Sequence, residues 1–504
     1  MTAVIGVRRV LRVRRVRCDL GDLCVSLMLA LGLVLATARS ASAHIGSPDV
    51  YLDGQAGLYR LFVTVRPPRV IPGVADVEIL TTDAGVRDVR IVPLPLVGAA
   101  AQFAPVPDVA TRSPEDPKLF TGHLWMMTIG EWQVRVTVDG DKGTGTLSVP
   151  VPTLPQSTLG MNPAVRGVLI VFMLLLSIGF IVIVAAMFRE ARLEPGAAPG
   201  PDARRRGRIA GAAAAIVAGV TIFLGNYWWT AEASTYAGYI YKPLQMTPSI
   251  VSGVASGSSQ TSPILHLSIH DPGWIFTRRV DDFEPDHDHL MHLFVVSPDL
   301  DRFWHLHPAP ASNGAFEQPL PDLPPGSYEL FADVVHRTGV PETITASLDV
   351  PATSGTPLSG DDSAWTGPAS NGHIAWVRDS QPLTTKRLTM FTFRVEDASG
   401  QPATDLELYM GMPGHAIFVR KDRRVFAHVH PAGSAPMASL ALAGNAPHTG
   451  HASGPAQAGH ETHASIPPTV TFPYGFPEPG DYRIFVQVKR AGRIETGVFD
   501  AHVD

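Results

Sequence analysis

Residues Trp132-Gln133-Val134-Arg135-Val136-Thr137-Val138 alternate apolar and polar side chains without a break. A half-buried strand has that period, and Asp139-Gly140 after it reads as a turn. Leu58 to Val65 alternates in part, and Val74 to Leu80 offers a further strand. Residues 44–155 therefore predict a small antiparallel β-sandwich. Two stretches break with this pattern. Gly167 to Phe188 and Ile209 to Trp229 are apolar and carry no charge. Each is long enough to cross about 30 Å of hydrocarbon as a helix. The pattern predicts transmembrane helices at 165–188 and 209–229, with Tyr227, Trp228 and Trp229 as an interfacial belt.

Charge then orients the hairpin. The connection at 189–208 holds Arg189, Arg192, Arg204, Arg205, Arg206 and Arg208, and the outer flanks hold almost no Lys or Arg. The positive-inside rule places this loop in the cytoplasm. The N-terminus leads to the same side: six arginines between Arg8 and Arg17, an apolar run from Leu20 to Ala36, then Ala41-Ser42-Ala43. That is the pattern of a secretory signal peptide over residues 1–43. Both large regions are then expected on the periplasmic side of a bacterial cytoplasmic membrane, with the lipid bilayer as the first partner.

Beyond residue 260 the chain repeats itself. His292-Leu293-Phe294-Val295-Val296 leads through Asp299 to Phe303 and His305-Leu306-His307-Pro308. His415-Ala416-Ile417-Phe418-Val419 leads through Asp422 to Phe426 and His428-Val429-His430-Pro431. The histidine spacing is identical in the two copies. Downstream, Pro325-Gly326-Ser327-Tyr328 matches Pro479-Gly480-Asp481-Tyr482. Two copies of one β-rich module are predicted, at 261–351 and 372–504. Gly130-Glu131-Trp132 resembles the same Gly-x-aromatic start of a late strand and suggests a third, diverged sandwich. Residues 231–260 read as a linker, and 432–465 as a mobile insertion bearing His448, His451, His460 and His463. The predicted fold class is mainly β: tandem antiparallel Ig-like sandwiches plus a two-helix transmembrane hairpin.

Composition narrows the chemistry. Among 504 residues, 45% are apolar and only 17% charged, which argues against wholesale disorder and agrees with membrane segments. A net charge of −6 speaks against nucleic acid as a partner. The two cysteines, Cys18 and Cys24, both fall in the signal region, so a processed chain has neither disulfides nor thiolate ligands. Histidine is abundant at 19.

The hairpins give those histidines a geometry. Residues two apart on a strand share a face, and a turn centred on Asp299-Leu300 puts His292 opposite His307. Three imidazoles, His292, His305 and His307, then converge. A turn near Asp422-Arg423 does the same for His415, His428 and His430. Neutral imidazoles suit copper, with zinc as the alternative, and three of them leave a coordination position open. Met410 and Met412 add thioether candidates for Cu(I). Met291, His287 and His289 hold the comparable place in the first copy. A chain processed after Ala43 would offer the amine and imidazole of His44 to Cu(II), with His123 as a candidate second ligand and Asp139 behind it.

Two resemblances add to this reading. His44-Ile45-Gly46-Ser47-Pro48-Asp49, Val65-Arg66-Pro67-Pro68 and Gly122-His123-Leu124-Trp125-Met126 resemble extracytoplasmic YtkA-like and FixH-like modules of bacterial membrane proteins. The N-terminal His44 also resembles that of CopC-like copper-resistance proteins, which are β-sandwiches. This chain has Asp139-Gly140-Asp141 where those have Asp-Gly-His. The resemblances imply sandwich modules and metal handling.

Three functions follow as expectations. The first is a membrane-anchored, extracytoplasmic metal-binding protein that sequesters copper or hands it to a metal-transfer partner protein. The second is an adhesion or assembly module without metal. The third is a cupin-like enzyme with a three-histidine metal, although no Glu follows His307 or His430 at short spacing and no nucleophile, phosphate or dinucleotide motif is present.

Overall fold

In the computed structural model, the described residues are 48–254, 261–275, 278–312, 314–367, 373–444 and 466–504. Alternation has its expected effect in the first sandwich. Val134, Val136 and Val138 are fully buried, on a strand that runs Gly130–Gly140 between partners Val86–Pro95 and Gly143–Thr153. The strand extends through Gly140, so the turn comes later than Asp139-Gly140, at Asp141-Lys142. A second sheet, built from Val50–Ala56, Tyr59–Arg66, Gly73–Thr81 and Leu119–Met126, closes the core from the other side.

The chain leaves this sandwich through two helices, Pro163–Glu190 and Pro201–Gly238, both long and apolar enough to cross a membrane. At 1.5 Å per residue the second is about 57 Å long, well beyond the hydrocarbon thickness. Their contact runs along small residues. Ala203, Gly207, Gly211 and Ala214 are the buried positions of the second helix. A Cβ on Gly207 would lie 3.0 Å from the Ala185 carbonyl oxygen, and one on Gly211 would lie 3.2 Å from the Ala185 Cβ. This small-xxx-small spacing lets two apolar helices approach closely as a hairpin. The hairpin closes where the Tyr241 amide donates to the Pro155 carbonyl at 2.7 Å.

Two duplicated sandwiches follow. In the first, His292–Val296 pairs with Phe303–Leu306 and Gly326–His336. In the second, His415–Arg420 pairs with Phe426–Val429 and Gly480–Arg490. The opposite sheets are built alike, Thr261–His270 lying between Gln245–Val254 and Ala315–Pro319, and Thr389–Val395 between Ile374–Val377 and Thr469–Tyr474. The region read as a linker, 231–260, is therefore structured over much of its length. It contains the end of the second helix and the strand Gln245–Val254. That strand lies at a sheet edge and sends Met246 and Ile250 toward the core, and the Ser/Gly/Thr/Pro residues between them concealed it.

One local device marks all three sandwiches. Gly130, Gly326 and Gly480 start their strands at φ 139°, 152° and 133°. Two residues on, Trp132, Tyr328 and Tyr482 each donate to the carbonyl four residues upstream, those of Thr128, Pro324 and Glu478, at 3.0, 2.8 and 2.8 Å.

The duplicated sandwiches meet through the outer faces of their histidine sheets. Inward from those sheets point Leu293, Val295, Trp304 and Leu306 in one module, and Ala416, Phe418 and Val429 in the other. Outward point Phe294, Val296 and Phe303, which form one apolar cluster with Ile417, Val419 and Phe426. Phe303 stacks on Phe485 at 4.4 Å and Phe426 stacks on Phe331 at 4.5 Å. These are the same pair taken twice, since Phe303 corresponds to Phe426 and Phe331 to Phe485. The interface thus has the logic of a two-fold dimer within one chain. The first sandwich docks on the second module: Tyr51 enters that module's core, and the Ser434 amide donates to the Tyr51 carbonyl at 2.9 Å. Gly433 is required there, because a Cβ would lie 1.9 Å from the Tyr51 carbonyl oxygen. Around it, residues 432–444, read as part of a mobile insertion, are ordered by this docking and by the short helix Met437–Leu442. Of that insertion, His448, His451, His460 and His463 lie outside the described residues.

Candidate metal centre

The strand registers bring together the histidines expected from the spacing. Leu293 pairs with Leu306, which sets His292 opposite His307, and Ala416 pairs with Val429, which sets His415 opposite His430. The turns need left-handed residues, supplied by Leu300 and Arg423 at φ 55° and 62°. All six imidazoles share the outer face of their sheets, beside the apolar cluster and against the opposite module.

In the first module, His292, His305 and His307 place one ring nitrogen each within 4.8 Å of the others. Every ring has its second nitrogen engaged. His292 Nε2 donates to the Asp286 carbonyl at 3.0 Å. His305 Nδ1 donates to Gln487 Oε1 at 2.9 Å, while Gln487 Nε2 is committed to the Ser363 hydroxyl at 2.7 Å. His307 Nδ1 faces Asp362 Oδ1 at 3.1 Å, and the same oxygen accepts from the His307 amide at 2.9 Å. These partners fix the tautomers and turn three lone pairs, on His292 Nδ1, His305 Nε2 and His307 Nε2, toward one point. Metal-binding histidines are held in this way.

The second module repeats the arrangement with a change. His415 Nε2 donates to the Tyr409 carbonyl at 3.1 Å, which leaves its Nδ1 free to face His428 Nε2 at 3.1 Å. His428 Nδ1 lies 3.5 Å from Asp333 of the first module. The tight group of three, however, is His415, His430 and His287. His287 comes from the first module, in the turn Asp286–His289, whose central residues have φ 51° and 67° as a type I′ turn requires. Its ring lies 4.8 Å from His430 and 5.2 Å from His415. The equivalent turn of the second module is Tyr409–Met412, so Met410 and Met412 stand where His287 and His289 stand in the first. Met410 is half-buried and Met412 is 9% exposed.

Electrostatics favours the neutral form of five of these rings. Burial, with repulsion from neighbouring histidines added, holds the pKa values of His292, His305, His415, His428 and His430 well below the ordinary histidine range. Burial pushes Asp333 up to about 7, although the Thr343 hydroxyl donates to it at 2.6 Å. His287 Nε2 and His307 Nε2 are buried with no hydrogen-bond partner among the described residues. A buried, unpaired polar atom is costly unless something binds it.

The donor set fits a metal ion. Two nitrogens about 2.05 Å from one ion at a tetrahedral angle stand about 3.3 Å apart. The facing pairs His292 Nδ1–His305 Nε2 and His415 Nδ1–His428 Nε2 are each 3.1 Å apart.

The site expected in the first sandwich is not assembled in this way. His123 is exposed and pairs with Asp76 at 2.9 Å across adjacent strands. Asp139 lies on the other sheet and binds Arg90 and Thr144, so it does not back His123. His44 lies outside the described residues. The residues that sequence reasoning missed are the supporting ones: Asp333, Asp362 and Gln487. Their only signal was position, since Asp333 and Gln487 occupy the same register opposite His292 and His415.

A cavity of about 120 Å³ adjoins the histidines where the three sandwiches meet. His289, His292, His428 and His430 line it, with Asp286 and Asp333 from the first module and Glu131 from the first sandwich. Both carboxylate oxygens of Glu131 are buried without a hydrogen-bond partner among the described residues, and burial holds its pKa well above the usual carboxylate range.

Comparison with known proteins gives little to set beside this geometry. No curated protein matches the chain. Solved structures similar to it include a tetra-tandem repeat from the extending region of a large adhesion protein, at 9% identity, 87% of this chain, 72% of that chain and TM-score 0.16. Dimeric latent PorU from Porphyromonas gingivalis follows, at 9% identity, 91% and 34% coverage and TM-score 0.14. Salmonella alpha-2-macroglobulin reacted with methylamine follows at 8% identity, 92% and 24% coverage and TM-score 0.20. The chain spans about a third or less of the last two, and likenesses of this size carry no argument about function. The family model of a domain of unknown function, DUF8832, matches residues 257–352 and 370–504, the two duplicated modules that carry the histidine centre.

Proposed function

We propose that this is a membrane-anchored metal-binding protein that holds copper, or alternatively zinc, in its paired histidine sets on the periplasmic side of the membrane. One observation carries the reading. In each module two imidazole nitrogens face each other at 3.1 Å, and in the first both bear lone pairs, because their second nitrogens donate elsewhere. Two facing lone pairs in a buried site repel unless a cation sits among them. The all-imidazole donor set favours borderline-soft ions over calcium or magnesium. Sequestration suits the site better than rapid exchange, since the side chains of His307 and His428 are only 4% and 5% exposed. A metal-transfer partner would have to open it.

The test uses the full chain in detergent. Cu(I), Cu(II) and Zn(II) are titrated against a competing chelator, beside a variant with His292, His305, His307, His415, His428 and His430 changed to Ala. The expected result is tight binding that the variant loses while its circular dichroism still reports β-sandwiches. Binding of equal strength in both proteins would return the histidines to a structural role.

A further inference from the structure

We propose that the two histidine sets form one two-metal centre across the module interface, and that a small anion entering from the adjoining cavity bridges the ions. This deepens the metal-binding reading and rests on it.

The sets are contiguous. The ring of His428 lies 5.4 Å from His292 and 5.7 Å from His305, and His305 lies 6.2 Å from His415. These separations leave no room for a layer of other side chains between them. His287 joins the sets covalently: it belongs to the first module, six residues from Leu293, yet its ring is nearer His430 and His415 than its own module's His292, which is 6.1 Å away. The second ion therefore takes a ligand that only the packed interface supplies, so neither module completes both sites.

The tight groups His292, His305, His307 and His287, His415, His430 each supply three imidazoles, which leaves each ion a vacant position, and His428 stands between the groups. The cavity is the space available to both, since His292 of one set and His428 and His430 of the other line it together. Two cations this close repel, and an anion between them offsets the repulsion. The roughly 120 Å³ of cavity has room for hydroxide, azide or a similarly small group. Glu131 lines the same cavity with both oxygens unpartnered among the described residues, and its neutral acid form can donate a hydrogen bond to such an anion.

Electron paramagnetic resonance on the full-length protein tests this, with Cu(II) added one equivalent at a time and azide as the anion probe. The first equivalent is expected to give an ordinary mononuclear signal. The second is expected to reduce the spin count per copper by at least half as the pair couples, and azide is expected to change the visible absorption. In His287→Ala the second equivalent is expected to bind at least tenfold more weakly, with the first unchanged. A spin count of two per chain without an azide response would overturn the shared centre while leaving metal binding intact. Unchanged binding of the second equivalent in His287→Ala would overturn the cross-module ligand. Absence of any bound copper in the preceding titration would instead overturn the reading on which the proposal rests.

Discussion

Asp333 and Gln487 stand at the same register position in the two modules, and each reaches across the interface to the central histidine of the other. Asp333 lies 3.5 Å from His428 and Gln487 lies 2.9 Å from His305. The support of each site is thus built into the module that does not own it. A carboxylate on one side and an amide on the other make the two sites chemically unequal, because the carboxylate raises the donor strength of its imidazole more.

Asp333→Asn is expected to weaken metal binding at the second-module site by about 10–100-fold, the usual effect of removing such a partner. Gln487→Ala is expected to weaken the first-module site instead. Chelator competition on each variant separates the two, and equal losses at both sites would contradict the crossed support.

The stacked aromatic pairs predict a symmetric stability effect. Phe303 and Phe426 are both essentially unexposed. Truncating either to Ala removes a buried ring at an interface and is expected to cost about 3–5 kcal/mol. Thermal unfolding of Phe303→Ala and Phe426→Ala should show comparable falls in midpoint. A fall for one alone would mean that the two-fold relation of the pairs has no energetic counterpart.

Glu131 predicts how stability varies with pH. Its folded-state pKa is raised by burial, so the unfolded chain ionises first as pH rises. The stability this group contributes is present below the ordinary glutamate pKa and is lost as pH climbs through the raised folded value. Glu131→Gln cannot ionise and escapes that loss. The variant is expected to melt with the native chain near pH 4 and a few degrees above it near pH 8. A constant difference across that range would show that Glu131 does not titrate as its burial requires.

Membrane orientation is open to direct labelling. With Cys18 and Cys24 replaced by Ser, single cysteines at Ala197 and Ser347 are expected to differ: a membrane-impermeant maleimide applied to spheroplasts should label Ser347→Cys and spare Ala197→Cys. Labelling of Ala197→Cys alone would invert the proposed topology.

The sandwich strands and the register of the histidine hairpins were legible in the sequence. Period-two alternation and turn position are local properties, and Asp299-Leu300 alone sets which residue faces His307. The helices were legible for a similar reason, since an uncharged run needs no tertiary context. What lay beyond reach was long-range. Nothing near His287 indicates that it packs against a module more than a hundred residues away. Nothing local marks Asp333 as facing His428. The strand Gln245–Val254 escaped because Met246 and Ile250 alone mark its core-facing side, among Ser, Thr, Pro and Gly.

The duplicated interface also changes what substitution can do. In a dimer of identical subunits, every substitution at a two-fold interface appears twice, so an asymmetric pair of residues cannot arise by a single change. Fusing both halves into one polypeptide removes that constraint. His287 in one module where the other has Met410, and Asp333 where the other has Gln487, are differences that a dimer of identical subunits cannot hold and a fused arrangement can. Under the proposed metal-binding function, each of the two histidine sets can be tuned by independent point changes, while the shared aromatic stacks keep the halves in register.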